Sequence, residues 1–393
     1  MTISLGIEEE FVLLDPETLR AVPLADCAIA ALGGRDTVVR EYFPSQLEFA
    51  SPVLHDAADA LASLARFRCG LAAWAAEAGV VAAATGTPLH PEPAGGQDWA
   101  GRYAQIADDT RWLTYDHQIN GLHVHVGIPD RATGIVALNR LRPWLPVLLA
   151  LSANSPHWSG VDTGFASWRS LHSRRWTTYG IPPHFADVDA YEMAIARHAG
   201  IGATSDPRTI NWCARLSPRY PTVEVRVCDS QLGAHSSVAL ALIIRALVGT
   251  ADDANAAKSP DAGVWDAALW HAARHGVSAT LVDPDTMTLA PARAVIAKLA
   301  AAVTTGLTVE ENAAVCGFLQ RVIAEGSGAD RQRIALASGG RAALGQLLRD
   351  ALSDSWPGVV ASAVGVKSGD LVRPVTPRLD RGDPTAAQRN GSP

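Results

Sequence analysis

Lysine is almost missing from this chain: among 393 residues it stands only at Lys258, Lys298 and Lys367, so most of the 33 basic side chains are arginine. Any cluster that binds phosphate or carboxylate must then be built from guanidinium groups, which suit planar, two-pronged recognition. Positive charge is short overall. The formal net charge of −7 excludes a general attraction to nucleic acid or to an anionic membrane. Cysteine is scarce and scattered (Cys27, Cys69, Cys213, Cys228, Cys316), with no CxxC pair. Neither a disulfide framework nor a thiolate zinc site is indicated, and the cytoplasm is the expected compartment. Long apolar runs are lacking too. Trp144–Ala153 and Val238–Ile244 are too short to span a bilayer and read as core helices. Three glutamates by residue 10 argue against a secretory leader. There is no GxxxxGK[ST] loop, no convincing Rossmann fingerprint and no internal repeat, so a nucleotide would have to be held another way.

What is present is a globular composition, 48% hydrophobic and 19% charged, in a chain long enough to bury a sizeable core. The spacing predicts strands over Ile3–Leu14, Val38–Phe43, Gln46–Ser51, Val80–Ala84, Leu122–Ile128 and Thr222–Cys228. Helices are expected over His55–Ala78 and over Thr133–Ala153, the latter interrupted near Pro143. Beyond about residue 235 the pattern turns helical, with Ser236 or Ser237 as a cap, then Ala290–Ala302, Glu310–Ala324 and Arg341–Leu352. The Gly326–Gly328 stretch reads as a helix connection. The elements do not alternate regularly, which favours an α+β fold over a doubly wound sheet. One catalytic domain is expected over 1–372, strand-bearing in 1–230 and mostly helical in 235–372, with a mobile tail over 373–393.

Polar residues two apart within strands carry the chemistry, because positions i and i+2 point to the same face. Glu8 and Glu10 share one face of the first strand, while Ile7, Glu9 and Phe11 share the other, where Glu9 would need an ion-pair partner. Glu48 lies in the Gln46–Ser51 run, with Glu41 just upstream across Pro44. His123 and His125 share a face backed by Leu122, Val124 and Val126. Glu224 and Arg226 share another, backed by Val223, Val225 and Val227. Each case alone fits a solvated surface or a satisfied core histidine. Together, several carboxylates on one sheet face would repel one another unless cations join them. Oxygen-rich donors with imidazole and no thiolate point to Mg²⁺, with Mn²⁺ as a substitute.

Gly6-Ile7-Glu8-Glu9-Glu10-Phe11, Gln46-Leu47-Glu48, Gly121-Leu122-His123-Val124-His125 and Pro221-Thr222-Val223-Glu224-Val225-Arg226 closely resemble the second family of glutamate–cysteine ligases, the YbdK-like carboxylate–amine ligases. The likeness extends to Ala166-Ser167-Trp168-Arg169-Ser170 and Gly328-Ala329-Asp330-Arg331-Gln332-Arg333, so it covers roughly residues 3 to 340. It implies a glutamine synthetase-like fold, a curved antiparallel sheet forming a funnel, with packed helices. ATP would enter one end and the amino-acid substrate the other. The resemblance makes Glu8, Glu10, Glu41, Glu48, His123 and Glu224 metal ligands or their neighbours, Glu41 being the weakest match because related ligases carry aspartate there. It sets Arg226 beside the transferred phosphate, Arg169 and Arg333 against substrate carboxylate or phosphate, and His125 beside substrate or a metal-bound oxygen. Arg215 and Arg219 flank the Glu224 strand and fit a surface role equally well.

The implied activity is ATP- and Mg²⁺-dependent joining of a carboxylate, glutamate first, to an amine, cysteine first. The partners are small amino acids or amines, with oligomeric state left open. A metal-dependent hydrolase or cupin-like oxygenase built on His-x-His is the competing reading. It would leave Glu8, Glu10, Glu48 and the Glu224/Arg226 pair without a role.

Overall fold

A seven-stranded antiparallel sheet forms the floor of the molecule in a computed structural model, which describes residues 3–33, 37–93, 99, 101–206, 209–250 and 262–353. Its strands are β1 (Leu5–Leu14), β2 (Val38–Arg40), β3 (Gln46–Ala50), β4 (Val81–Ala83), β5 (Gly121–Gly127), β8 (Ala214–Leu216) and β9 (Thr222–Asp229). Two small hairpins lie apart from it, β6 (His157–Trp158) with β7 (Val161–Asp162) and β10 (Thr280–Val282) with β11 (Leu289–Pro291). The sheet order is β2-β3-β1-β5-β9-β8, with β4 paired to the end of β1. Each of the six expected strands exists: four are shortened at one or both ends, the Leu122–Ile128 strand is shifted one residue toward the N-terminus, and the Thr222–Cys228 strand runs one residue longer. The short edge strand β8 was not expected.

The helices are α1 (Ala25–Leu32), α2 (Ala57–Ala78), α3 (Gly101–Thr110), α4 (Arg131–Leu141), α5 (Leu145–Ser152), α6 (Trp168–Ser173), α7 (Val188–Gly200), α8 (Ala234–Gly249), α9 (Ala262–His275), α10 (Ala292–Val303), α11 (Val309–Glu325) and α12 (Gly328–Ser353). The expected domain limit near residue 372 and the tail 373–393 lie outside the described residues.

One sheet face packs on α2 and α8. Ile7, Phe11, Leu122, Val124, Val126, Val223, Val225 and Val227 all point there and are buried. Helix α8 is mostly apolar and buried from Ser237 to Val248, its one charged residue, Arg245, paired with Glu311 of α11. Glu9 faces the same core. Its carboxylate takes two bonds from the Arg68 guanidinium of α2, at 2.9 and 2.7 Å, and Arg68 turns its remaining N–H groups to Gln231 O and Leu232 O. Such a pair is tolerable when buried only because every polar atom has a partner.

That pair also explains one departure from expectation. Ser237 does not cap α8, whose N-cap is Gly233. It lies inside the helix and donates its hydroxyl to Glu9, because a buried carboxylate must be supplied with donors.

Pro143 interrupts the α4–α5 region with a 3₁₀ turn at Arg142–Trp144, and Asp130 caps its start by accepting from Thr133 N at 2.8 Å. Counted as one helical stretch, Arg131–Ser152 is long and apolar enough to cross a membrane, yet 72% of its most apolar 18-residue window is buried inside this fold. It serves as core, as expected, although its apolar run is longer than the one read from sequence. Thr308 and Glu311 form a reciprocal capping pair at the start of α11. Gly326–Gly328 joins α11 to α12, and α12 kinks at Gly339–Gly340, so the expected Arg341–Leu352 helix is its second limb.

Candidate active site

Five strands, β3, β1, β5, β9 and β8, deliver polar side chains to the sheet face opposite α2 and α8. Glu10 lies across from Glu48, Glu8 from His123, His125 from Glu224, and Glu224 from Arg215. Directly opposed residues share a face, so the register alone lines them up in one row. Between Leu122 and Val124 the β5–β9 register slips, setting Arg226 and Val227 of β9 against His123. Arg226, two residues beyond Glu224, lies in the row, its Nη1 3.4 Å from His123 Nδ1.

Above the row is a cavity of about 520 Å³, lined by Glu8, Glu10, Glu41, Glu48, His123, His125, Arg169, Glu224 and Arg226 among others. These are all but one of the residues singled out in the sequence. Arg333 is the exception. Its guanidinium bonds Asp162 at 2.8 and 3.0 Å and Phe165 O at 2.8 Å, tying α12 to the β6–β7 hairpin, and it does not line the cavity. The structure thus does not bring Arg333 together with the other expected site residues.

The acidic groups fall into two sets. Glu8, His123 and Glu224 can bring one ligand atom each within 4.8 Å of one another, and so can Glu10, Glu41 and Glu48. In the first set, His123 Nδ1 is 3.2 Å and His125 Nε2 3.3 Å from the two oxygens of Glu8. His125 Nδ1 meets Thr222 Oγ1 at 2.9 Å. Glu224 is gripped from two sides, by Arg215 at 2.9 and 3.2 Å and by Arg226. In the second set, Glu10 accepts from Gly121 N at 2.6 Å and Glu41 from Tyr103 Oη at 2.9 Å. Gly121 is needed there: a β-carbon would sit 2.4 Å from Arg169 Nη2 and 2.9 Å from His123 Nε2.

The two sets differ in charge. Burial alone would raise Glu8 and Glu224. For Glu8 the bonds and charges of His123 and His125 reverse this, and for Glu224 the charges of Arg226 and Arg215 do, so both stay ionised well below the ordinary range. Burial also lowers His123 to about 4, with Arg226 adding to the effect, so the imidazole is neutral and able to ligate. In the second set burial and mutual repulsion win. Glu10 is raised to about 8, Glu48 well above its ordinary value, and Glu41 upward despite its bond to Tyr103. Three carboxylates that repel one another on rigid backbone fit a hard divalent cation, which would relieve the repulsion. The donor chemistry of both sets suits Mg²⁺ or Mn²⁺.

Arg169, on the first turn of α6, is buried. Its guanidinium reaches Arg226 O and Val227 O at 3.2 and 3.4 Å, and its Nε has no hydrogen-bond partner. His117, Trp176, Tyr179 and Arg219 line the same cavity. Sequence reasoning missed His117, Trp176, Tyr179 and Tyr103. It left Arg215 undecided, although the alternation Ala214-Arg215-Leu216 ahead of a Ser-Pro-Arg-Tyr-Pro turn signals a hairpin strand facing Glu224.

This arrangement agrees with the comparisons with known proteins. The family model "Glutamate-cysteine ligase family 2 (GCS2)" matches residues 4–352. A Saccharopolyspora erythraea protein named "Putative glutamate--cysteine ligase 2-2" is 39% identical over 349 residues, 86% of this chain and 89% of its own length. A Salinispora arenicola protein named "Putative glutamate--cysteine ligase 2" is 38% identical over 340 residues, covering 84% and 90%. The chain belongs to glutamate–cysteine ligase family 2. It is therefore an enzyme, an ATP-dependent ligase of the class that forms C–N bonds, and the His-x-His hydrolase or oxygenase reading falls. The ligase also shares its fold with a Francisella tularensis glutamate–cysteine ligase solved in complex with AMP, with a TM-score of 0.67 at 13% identity over 92% of this chain and 91% of that one. A bifunctional glutathione synthetase from Pasteurella multocida gives 0.63 at 14% identity, covering 90% of this chain and 53% of that one. The α+β class expected from sequence, an antiparallel sheet with packed helices, is the one observed.

Proposed function

We propose that this ligase activates the γ-carboxylate of glutamate with ATP and joins it to the amine of cysteine, giving γ-glutamylcysteine. The observation that carries the reading is the pairing of two acidic ligand sets with arginines along one cavity. A carboxylate is a poor electrophile, so amide formation first needs a better leaving group. A carboxylate oxygen attacks the γ-phosphorus of ATP and ADP leaves; the amine nitrogen then attacks the acyl carbon, phosphate leaves, and the amine proton is lost. The first step forces two anions together.

Glu8, His123 and Glu224 would hold one Mg²⁺ or Mn²⁺ and Glu10, Glu41 and Glu48 another. When bound, these ions screen and align the phosphates. Arg226, directed into the row between the sets, suits the γ-phosphate, whose charge it would stabilise as it spreads over three oxygens. Arg169, with an unpaired Nε at the cavity wall, suits a substrate carboxylate. His125, held by Thr222 and Glu8, suits an orienting contact. Among the described residues the basic side chains lining the cavity, other than histidine, are all arginine, in keeping with the composition of the chain. The substrate thiol and the enzyme's own free cysteines suit the reducing cytoplasm.

The test is ADP release from ATP and Mg²⁺ across a panel of amino acids and amines, with product mass. Glutamate plus cysteine should give the largest stimulation and the mass of γ-glutamylcysteine. Stimulation by a different acid or amine would remove the narrow assignment, and failure of every pair to release ADP would remove the mechanism.

A further inference from the structure

Of the three carboxylates in the Glu10 set, two are fixed by the sheet and one is not. Glu10 and Glu48 oppose each other in the β1–β3 ladder. Glu41 follows β2 outside any strand, its backbone N–H bonded to Gln46 O at 3.1 Å. Its carboxylate is oriented from above, by the Tyr103 hydroxyl at 2.9 Å.

Tyr103 belongs to α3, a helix in which no residue with a described side chain is buried. The helix is bounded by left-handed backbone at Gly101 (φ +57°) and at Arg111 (φ +53°), the second a conformation that a β-carbon disfavours. Aromatic contact docks it. Tyr42, adjacent to Glu41, meets Tyr103 edge-on with ring centroids 5.2 Å apart and stacks on Trp99 at 5.3 Å. Docked in this way, Tyr103 and Ile106 form part of the cavity wall beside the trio.

We propose that Tyr103 is a positioning residue for Glu41, and that docking of α3 completes the Glu10–Glu41–Glu48 cation site. The inference rests on the reading of that trio as a metal centre. A hydroxyl donating to one carboxylate oxygen fixes the group while leaving the other oxygen for a cation, and partners of this kind set ligand orientation and affinity. A loop carboxylate without that partner must be ordered by the cation itself, at a cost in affinity. The coupling runs both ways: if the docked helix improves the site, a bound cation stabilises the docked helix by the same factor.

The test uses the full chain without nucleotide. Mn²⁺ binding is followed by the paramagnetic resonance of the free ion, and amide hydrogen exchange over 101–116 is measured with and without Mn²⁺. Glu41→Gln marks which class of site belongs to the trio. Wild type should slow exchange over 101–116 when Mn²⁺ binds. Tyr103→Phe should weaken the trio's Mn²⁺ class about tenfold, abolish the protection of 101–116, and leave the thermal midpoint unchanged. A lower midpoint with unchanged Mn²⁺ affinity would make Tyr103 merely structural and overturn the proposal, as would normal binding with no change in exchange. Wild type that binds no Mn²⁺ would remove both this inference and the metal-centre reading; unaltered affinity in Tyr103→Phe alone would remove only this one.

Discussion

Arg215 and Glu224 face each other across the β8–β9 pair, with Nε 2.9 Å from Oε2 and Nη2 3.2 Å from Oε1. The two-pronged contact fixes the plane of a carboxylate that also meets Arg226 and sits beside Glu8 and His123. A lysine offers a point charge and cannot set that plane. Arg215→Lys should therefore raise the Mg²⁺ concentration needed for half-maximal turnover about tenfold, with the circular dichroism spectrum unchanged. An unaltered Mg²⁺ dependence would show that Arg226 alone suffices to orient Glu224.

Charge removal should have opposite effects on stability in the two sets. Glu48 is pressed by Glu8, Glu41 and Glu10, so Glu48→Gln relieves repulsion and should leave the metal-free thermal midpoint equal or higher. Glu224→Gln leaves Arg215 and Arg226 without their carboxylate, which for buried pairs typically costs about 3 kcal/mol. Both should lower Mg²⁺-dependent turnover about 100-fold or more. Thermal scans in chelator, paired with the ADP assay, separate the two effects. A destabilised Glu48→Gln would contradict the repulsion.

The site was legible because strands alternate. Glu8 with Glu10, His123 with His125 and Glu224 with Arg226 reveal a shared face from spacing alone, and apolar residues between them fix which face is core. The parts that escaped lie where no period exists. Tyr103 sits in a polar helix, and Arg215 in a strand of three residues. An ion-pair role was foreseen for Glu9, but its partner Arg68 lies 59 residues away in the middle of α2. Arg333 shows the converse case. It belongs to a string matched by resemblance, yet there Gln332 docks the helix by donating to Asn154 and Thr85, while Arg333 points to Asp162. Arg333→Ala should accordingly keep near wild-type turnover in the ADP assay, since a half-exposed pair contributes little; a severe loss would return Arg333 to the active site.

The Glu9–Arg68 pair offers a variant that separates folding from chemistry. Both side chains are at most 1% exposed, and truncating one leaves the other charged without its partner. Arg68→Ala should destabilise the protein by about 3–5 kcal/mol, read from urea unfolding. The Mg²⁺ dependence of whatever protein remains folded should not change, because Glu9 points away from the cavity. A mild loss of stability would mean that water or a neighbouring group replaces the guanidinium.

The raised carboxyls also set a pH dependence of stability whose direction can be worked out. Glu10 titrates at about 8 in the fold but near 4.3 when unfolded. Between these values the native state holds a proton that the unfolded chain has lost, so stability falls as pH rises. His123, lowered from 6.5 to about 4, works the other way: its contribution is lost as pH falls below 6.5 and is constant above it. The window from 6.5 to about 8 thus isolates the carboxyl effect. In chelator the thermal midpoint should decline across that window. Cation binding needs the carboxylates ionised, so it releases protons, and added Mg²⁺ should stabilise the protein more at the upper end than at the lower. A midpoint that climbs with pH in chelator, or a Mg²⁺ increment that shrinks toward pH 8, would show that the trio is already ionised without a cation.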